Sequence, residues 1–263
     1  MEYLKTPRRR QYYEDQIPEK DRLYSHPEPF RRYAHQLRMK WITKLLFETR
    51  KHFYFVDVGC GANPYFPSTA KYFSFSVGLD IATSKVQKLK EMVKEQSQKD
   101  DNVDFIVADV QSLPFRDEVF SMLLCSEVLE HLPHPSLAIN EISRITAGEA
   151  IISVPGLGTF PGYIYKYVFK KTFIEGEHIQ FFYPKDLLSN IKNAGFQVTD
   201  IIGSGNTIFF SGEFMIRRIF NVFPRFRIFL EMLDNKLNKT RILNFLGLHL
   251  ILKCVKIPFK CEE

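Results

Sequence analysis

The feature of this chain that most constrains its fold is an alternation of short apolar runs with helical segments. The helical segments include one that opens at Ser84, where Ser84 and Gln87 could form a capping box, and another over 135–145. Such alternation predicts βαβ units in a mostly parallel sheet with helices on both faces. Five runs have strand length: HFYFVDVG (52–59), FSVGLDI (75–81), VDFIVADV (103–110), VFSMLLCS (119–126) and AIISVPG (150–156).

The segments on either side of this alternation predict additions to one domain. Residues 1–28 are polar and broken by prolines, which indicates an arm, and apolar residues at helical spacing from Phe30 predict a helix to about Arg50. An apolar helical stripe after residue 206 predicts an insertion between the sixth and seventh strands, at 196–202 and 248–257. We therefore expect a single domain with four parts: an arm and helix (1–50), a core (51–205), a helical insertion (206–245), and a last strand with a tail (246–263).

Composition limits the class of protein more than its function. Hydrophobic residues make up 45% of the 263-residue chain and charged residues 25%, which excludes a disordered chain, and the net charge of +6 permits an anionic partner without requiring one. The four cysteines form no CxxC pair, so a structural zinc site is not indicated and we expect a reducing cytoplasm. No window has the ~18 uninterrupted apolar residues of a spanning helix, so at most a peripheral membrane contact is open.

The turn after the first apolar run has a backbone suited to a ligand. Gly59 and Gly61 lack the Cβ atoms that block close approach, and ligands of open parallel sheets bind outside the carboxyl ends of the strands. Asp80 ends the second run, 19 residues beyond Gly61, where a carboxylate can accept both hydroxyls of a ribose. Asp109 lies at the end of the third run, in ADV, where a carboxylate can receive the exocyclic amine of adenine. Together these residues predict a nucleoside-type ligand.

Missing motifs narrow the choice of nucleoside. The chain has no GxxxxGK[ST] loop, and Ala62-Asn63-Pro64 replaces the third glycine of a dinucleotide fingerprint. The turn therefore lacks the space and the lysine expected for phosphates. The carboxylates of Asp57, Asp80 and Asp109 instead favour a nucleoside that carries a positive centre.

Four motifs in order, VDVGCGANPY, VGLDI, ADVQSLPF and CSEVLEHLPHP, resemble those of the class I S-adenosylmethionine-dependent methyltransferases. The resemblance is to the methyltransferase type 11-like group that acts on small molecules and lipids, and it covers about residues 50–202. It implies an α/β, Rossmann-like, doubly wound sheet of seven strands, mostly parallel with the last strand antiparallel. It also implies S-adenosylmethionine as the cofactor.

The resemblance assigns roles to individual residues. It implies that Asp57, Gly59 and Gly61 surround the methionine portion of the cofactor, with Cys60 presenting its backbone, and that Ser126 flanks the methionine end. It further implies that the ribose and adenine are bound by residues of the second and third strand ends, namely Asp80 (ribose), Ile81 (adenine face), and Asp109 and Val110 (adenine edge).

Methyl transfer from a sulfonium is an in-line displacement that depends mostly on positioning, so a catalytic base is optional. His131 is the candidate base, although Glu130 and His131 are more simply explained as residues that cap or brace the next helix. Glu127, Glu130 and His131 also match the ExxEH arrangement of metal-dependent small-RNA 2′-O-methyltransferases, in which His178 would be a fourth ligand. We predict a site without metal.

The acceptor must be recognised by segments outside the shared core. The loop 156–183 interleaves aromatic residues with lysines, which suits a cover for the active site, a lipophilic anionic substrate, a membrane surface or stacked bases. Together with the apolar stripe of 206–245, it favours a lipophilic small molecule or lipid-linked substrate, and we do not expect nucleic acid. RNA methylation is the second hypothesis and a non-catalytic binding protein is the third. The stripe leaves monomer and homodimer open.

Overall fold

The computed structural model describes residues 10–11, 29–48, 53–96, 102–156, 179–205, 226–237 and 243–257. Seven strands form one sheet in the order β3-β2-β1-β4-β5-β7-β6. All neighbouring strands are parallel except β7, which runs antiparallel to both β5 and β6. The predicted sheet is thus confirmed. The strands are β1 Tyr54–Val58, β2 Phe75–Asp80, β3 Val103–Val107, β4 Phe120–Ser126, β5 Thr146–Pro155, β6 Phe196–Ser204 and β7 His249–Lys256.

Six α-helices are found within the described ranges. The predicted helix over 135–145 is confirmed at both ends, and the helix predicted from Phe30 begins one residue earlier. The helices are α1 Pro29–Glu48, α2 Phe66–Ala70, α3 Thr83–Gln96, α4 Pro135–Ile145, α5 Pro184–Asn193 and α6 Phe226–Leu237.

Alternate residues of the strands supply two hydrophobic clusters, one on each face of the sheet. On one face Val56 and Leu123 pack with Ile139 of α4 and Ile191 of α5. On the other face the side chains of α1, α2 and α3 cover the sheet. This second cluster contains Met39, Ile42, Leu46, Phe55, Phe66, Leu89, Met122, Leu124, Ile151 and Ile251. A doubly covered sheet explains why the strands appear in the sequence as nearly continuous apolar runs.

Helix α6 confirms a helical segment between β6 and β7, but its apolar stripe is only partly buried. Leu230 packs against Tyr33 and Leu37 of α1. Phe229 and Leu233 of the same stripe are 56% and 37% exposed, and Ile228 and Met232 beside them are 64% and 67% exposed. The rest of the predicted insertion, 206–225 and 238–242, lies outside the described residues, and the four-part division of the chain stays a prediction.

Two local expectations are corrected. Helix α3 begins at Thr83, so Ser84 lies inside its first turn, and the capping box of Ser84 with Gln87 is wrong. The reason is that the Asp80 carboxylate accepts the Ala82 N–H, which turns the chain into the helix one residue earlier than a Ser84 cap allows. Strand β5 begins at Thr146, four residues before the predicted run, because Glu149 pairs with both Met122 and Val255 and extends the sheet.

The carboxyl ends of β1, β2, β3, β4, β5 and β6 meet at one edge of the sheet, and β7 begins there. We call it the carboxyl edge. Gly205 follows β6 at this edge, where its N–H donates to the Asp234 carboxylate of α6 at 3.1 Å. Among the described helices, none has the length and apolar character that crossing a membrane requires.

Candidate active site

The turn between β1 and α2 forms the first part of the site, and its two glycines have different functions. Gly59 has φ 75°, and a Cβ added to it would lie 2.3 Å from Val128 Cγ2. Gly61 has φ 52°, and no atom lies within 4 Å of where its Cβ would be. Gly59 therefore lets the turn pack against the segment after β4, whereas Gly61 borders open space that a ligand can enter.

Backbone donors tie this turn to the end of β2. The N–H groups of Gly59 and Cys60 both donate to the Leu79 carbonyl, at 2.7 and 2.9 Å. Cys60, predicted to present its backbone to the cofactor, thus has its N–H committed to the sheet. Its thiol is buried, and burial raises the pKa of that thiol well above its usual value. A protonated, buried thiol is not a nucleophile, so Cys60 contributes packing to the site.

Asp80 connects the β1 turn with the start of α3. One carboxylate oxygen accepts the Gly61 N–H at 2.9 Å, and the other accepts the Ala82 N–H at 2.9 Å. Each carboxylate oxygen has two lone pairs, so both oxygens keep the capacity to accept a ribose hydroxyl. The two backbone contacts fix the orientation of the carboxylate before a ligand arrives.

Asp57 lies below the turn, on β1, with only 3% of its surface exposed. The Asn63 side-chain amide donates to its carboxylate at 3.1 Å, while the Asn63 side-chain oxygen accepts the Tyr65 N–H at 3.0 Å. Burial raises the pKa of Asp57 to about 7; the bond from Asn63 opposes this rise, and the charge of Asp80 adds to it. A positive centre on a ligand would favour the ionised form of this carboxyl.

The adenine end predicted from the sequence lies in the segment after β3. The Asp109 carboxylate accepts the Gln111 N–H at 3.0 Å, which closes a local turn. The Val110 side chain is buried in the core, so its backbone is the part that can border a ligand, and Ile81 is half-buried at the end of β2. These residues lie at adjacent strand ends because β2 and β3 pair in parallel.

Arg144 of α4 holds the same segment in place. Its guanidinium donates to the carbonyls of Phe115 and Leu113 at 2.7 and 3.0 Å and binds the Glu141 carboxylate at 2.7 Å. Glu141 in turn accepts the Leu113 N–H at 2.7 Å. Leu113 and Phe115 belong to the motif ADVQSLPF, but nothing in that motif indicates a contact with Arg144, which lies about 30 residues further along the chain.

Ser126 ends β4, where its hydroxyl lies 2.9 Å from the Ser153 hydroxyl of β5. Ser153 donates to the Glu127 carboxylate at 3.3 Å, and the other oxygen of Glu127 lies 3.2 Å from a guanidinium nitrogen of Arg38 on α1. The structure thus connects the predicted Ser126 to two residues that sequence reasoning missed, Arg38 and Ser153. Neither carries a sequence signal, because α1 comes close to β4 only through the tertiary fold.

His131, the candidate base, lies in a 3-10 helix over Leu129–His131. Its Nε2 atom is 3.8 Å from the Glu130 carboxylate, which is buried. The Glu130 carbonyl accepts the Ile179 N–H at 3.1 Å, so the 3-10 helix is held to the segment before α5. These contacts agree with a structural role for Glu130 and His131 in bracing the following helix, and the catalytic role of His131 stays a prediction.

The described residues contain no group of three side chains of the kind that hold a metal ion. Glu127, the first residue of the ExxEH arrangement, is paired with Arg38. His178, the fourth ligand of the RNA-enzyme hypothesis, lies outside the described residues, as do the aromatic residues 160–173 of the loop.

Comparisons with known proteins agree with this geometry. Residues 56–154 match a family model described as a methyltransferase domain. A ubiquinone biosynthesis O-methyltransferase of Coxiella burnetii is 27% identical over 175 residues, which cover 64% of this chain and 72% of the relative.

Solved structures show the same fold over nearly the whole chain. Magnesium protoporphyrin IX methyltransferase from Synechocystis, with bound S-adenosylhomocysteine, has a TM-score of 0.67 at 16% identity and covers 96% of this chain and 99% of its own. The N-methyltransferase NodS from Bradyrhizobium japonicum, also bound to S-adenosylhomocysteine, has a TM-score of 0.63 at 11% identity and covers 95% and 98%.

The sheet order is that of the class I methyltransferase fold, and the match of residues 56–154 to a methyltransferase domain supports an S-adenosylmethionine-dependent methyltransferase. Within that class, residues 56–154 are similar to the methyltransferase domain of the matching family model. Its cofactor is S-adenosylmethionine.

Proposed function

We propose that this enzyme transfers the methyl group of S-adenosylmethionine to a lipophilic small-molecule or lipid-linked acceptor, by O- or C-methylation. The observation that carries the proposal is the apolar surface of α6 at the carboxyl edge. Ile228 and Met232 are exposed on this helix, Leu230 packs on α1, and Asp234 binds Gly205 at the carboxyl edge. An acceptor that approaches the methyl group along α6 would meet these apolar side chains.

The cofactor's placement follows from the strand ends. Asp80 and Asp109 would hold the nucleoside, and Asp57 with Ser126 would face the methionine end, which carries the sulfonium and an ammonium group. The acceptor would then enter from the side of β4, β5 and α1. The similarity to an O-methyltransferase of ubiquinone biosynthesis supports a hydroxyl as the acceptor group.

A base is needed only if the acceptor hydroxyl is weakly acidic. His131 is then the proposed base, since imidazole takes up a proton near neutral pH. The ion pair of Glu127 with Arg38 supports a site that works without metal, because it occupies a carboxylate that the ExxEH arrangement would give to the ion.

The experiment uses the purified protein, S-adenosylmethionine labelled in its methyl group, and cell extracts separated into lipid, water-soluble and RNA fractions. We expect label in the organic phase with the lipid fraction, unchanged by a chelator. Alkali treatment then separates methyl esters, which release label, from ethers and C-methyl products, which keep it.

Label that appears only in RNA and disappears with a chelator would favour the RNA 2′-O-methyltransferase instead. Cofactor binding without transfer to any fraction would favour the non-catalytic binding protein. Contact with a membrane surface and the choice between monomer and homodimer stay proposals that this experiment does not address.

A further inference from the structure

The ion pair between Arg38 and Glu127 is unusually enclosed for two charged side chains. Arg38 is 4% exposed and Glu127 17% exposed, and the closest atoms are 3.2 Å apart. Charges removed from water lose hydration energy that their mutual attraction often fails to recover. Apolar side chains at both positions could give similar stability, so stability alone is a weak reason for this pair.

Glu127 also has an uncommon backbone. Its φ is 57°, in the left-handed region that L-residues rarely adopt. Its N–H donates to the Ser153 carbonyl at 3.0 Å, so the position continues the pairing of β4 with β5. Glycine adopts this φ without steric cost, so the presence of glutamate points to a use for its carboxylate.

The Glu127 carboxylate links α1 to the end of β4. One oxygen meets Arg38, the other accepts from the Ser153 hydroxyl at 3.3 Å, and that hydroxyl lies 2.9 Å from Ser126. Arg38 therefore acts on the orientation of two hydroxyls at the carboxyl edge through a single carboxylate. Arg38 lies outside residues 56–154, which match the methyltransferase domain.

We propose that Arg38 and Glu127 are positioning residues that act through the buried Ser153 hydroxyl to orient the Ser126 hydroxyl toward the amino-acid portion of the cofactor, so that α1 helps to shape the cofactor site. The proposal rests on the proposed function, since it assumes that S-adenosylmethionine lies with its methionine end beside Ser126. The adenosine portion, at Asp80 and Asp109, does not depend on the pair.

Two probes that share the nucleoside separate these portions. S-adenosylhomocysteine carries the amino-acid portion, and 5′-methylthioadenosine lacks it. The affinities are measured by calorimetry with the full chain. We expect Arg38→Met, Glu127→Gln and Ser153→Ala each to weaken the binding of S-adenosylhomocysteine at least fivefold and the binding of methylthioadenosine less than twofold. Combining Ser153→Ala with Glu127→Gln should add little, because both changes interrupt the same network.

Three further variants serve as controls. Glu127→Gly relieves the backbone strain, yet it should show the same selective loss. Glu118 is also a glutamate in the left-handed region, with φ 53°, but it is exposed before β4, and Glu118→Gly should leave both affinities unchanged. Asp80→Ala should weaken the binding of both probes.

The outcomes distinguish a failure of the proposed function from a failure of the proposed role of Arg38 and Glu127. If the wild-type protein binds neither probe, the proposed function is wrong. If the wild-type protein binds both probes but the variants bind S-adenosylhomocysteine as tightly as the wild-type protein does, the proposed role of the pair is wrong and the proposed function stands. An equal loss of affinity for both probes also overturns the proposed role of the pair, because it indicates a general structural defect. Ser153→Ala removes one hydroxyl only and keeps the test valid if a charge variant fails to fold.

Discussion

Individual residues of the site are arranged before any ligand arrives. Asp80 uses both carboxylate oxygens to hold backbone N–H groups, and Asp57 is held by Asn63. The two acids differ in environment, since Asp57 is buried beneath the turn, where burial raises its pKa to about 7. At neutral pH the ligand-free site therefore contains an acid that a cationic cofactor can ionise.

This difference leads to a prediction about pH. Binding of S-adenosylmethionine should release a proton from Asp57, so its affinity should rise up to about tenfold between pH 6 and pH 8, as expected for one group with a pKa near 7. Calorimetry in buffers of different ionisation enthalpy measures the released proton directly. Asp57→Asn should bind more weakly at pH 8 and lose this pH dependence, while Asp200→Asn, on exposed β6, should match the wild-type protein.

The same shift affects the stability of the ligand-free protein. Because its pKa is higher in the folded protein than the ordinary 3.8, Asp57 stabilises the fold fully below about pH 4, and this contribution is lost as the pH rises through 7. Asp57→Asn should therefore be more resistant to urea than the wild-type protein at pH 8. Equal resistance at pH 8 would contradict the raised pKa.

At the scale of elements, the strands and the long helices were predictable, and several of their ends were not. Helix α4 begins and ends where its proline and apolar spacing predict. Helix α3 begins before Ser84 because Asp80 closes the preceding turn, and this contact joins two ends that no pattern connects. The five-residue α2 was not predicted at all, since so short a helix has no periodic signal.

The contact of α4 with the segment after β3 gives a prediction at this scale. Arg144→Met removes hydrogen bonds to Phe115, Leu113 and Glu141, so we expect a loss of about 1–3 kcal/mol in the free energy of unfolding by urea. Asp109 lies in the same segment, so methylthioadenosine should also bind more weakly. Arg116→Met, at an exposed position of that segment, is the matched control, and an equal effect there would contradict the role of Arg144.

At the scale of the whole molecule, the proposed site brings one cofactor to the ends of four strands. The proposed contacts come from β1, β2, the segment after β3, and β4, four neighbouring strands that run from the β3 edge to the middle of the sheet. A ligand that binds only the folded state stabilises all of these elements together. The acceptor, by contrast, would depend on α1 and α6, which lie outside the matched domain.

Ligand-linked stability tests this arrangement. At 100 times its dissociation constant, S-adenosylhomocysteine should add about 2.7 kcal/mol and raise the melting temperature by roughly 5–10 °C. Differential scanning calorimetry measures the shift. Asp80→Ala should weaken binding at least tenfold and therefore keep at most about 1.4 kcal/mol, roughly half of the shift, at the same ligand concentration, and a full shift in that variant would contradict the assigned ribose contact.

The sequence alone determined the sheet and the cofactor class, and it predicts which strand-end residues face the cofactor. Those features depend on local periodicity and on short motifs, because the carboxyl ends of parallel strands always meet at one edge. Only the tertiary structure decided that Gly59 packs against Val128, that Arg144 holds the adenine segment, and that Arg38 reaches Glu127. These contacts join residues far apart in the chain, and their energies come from burial and geometry that no local pattern encodes.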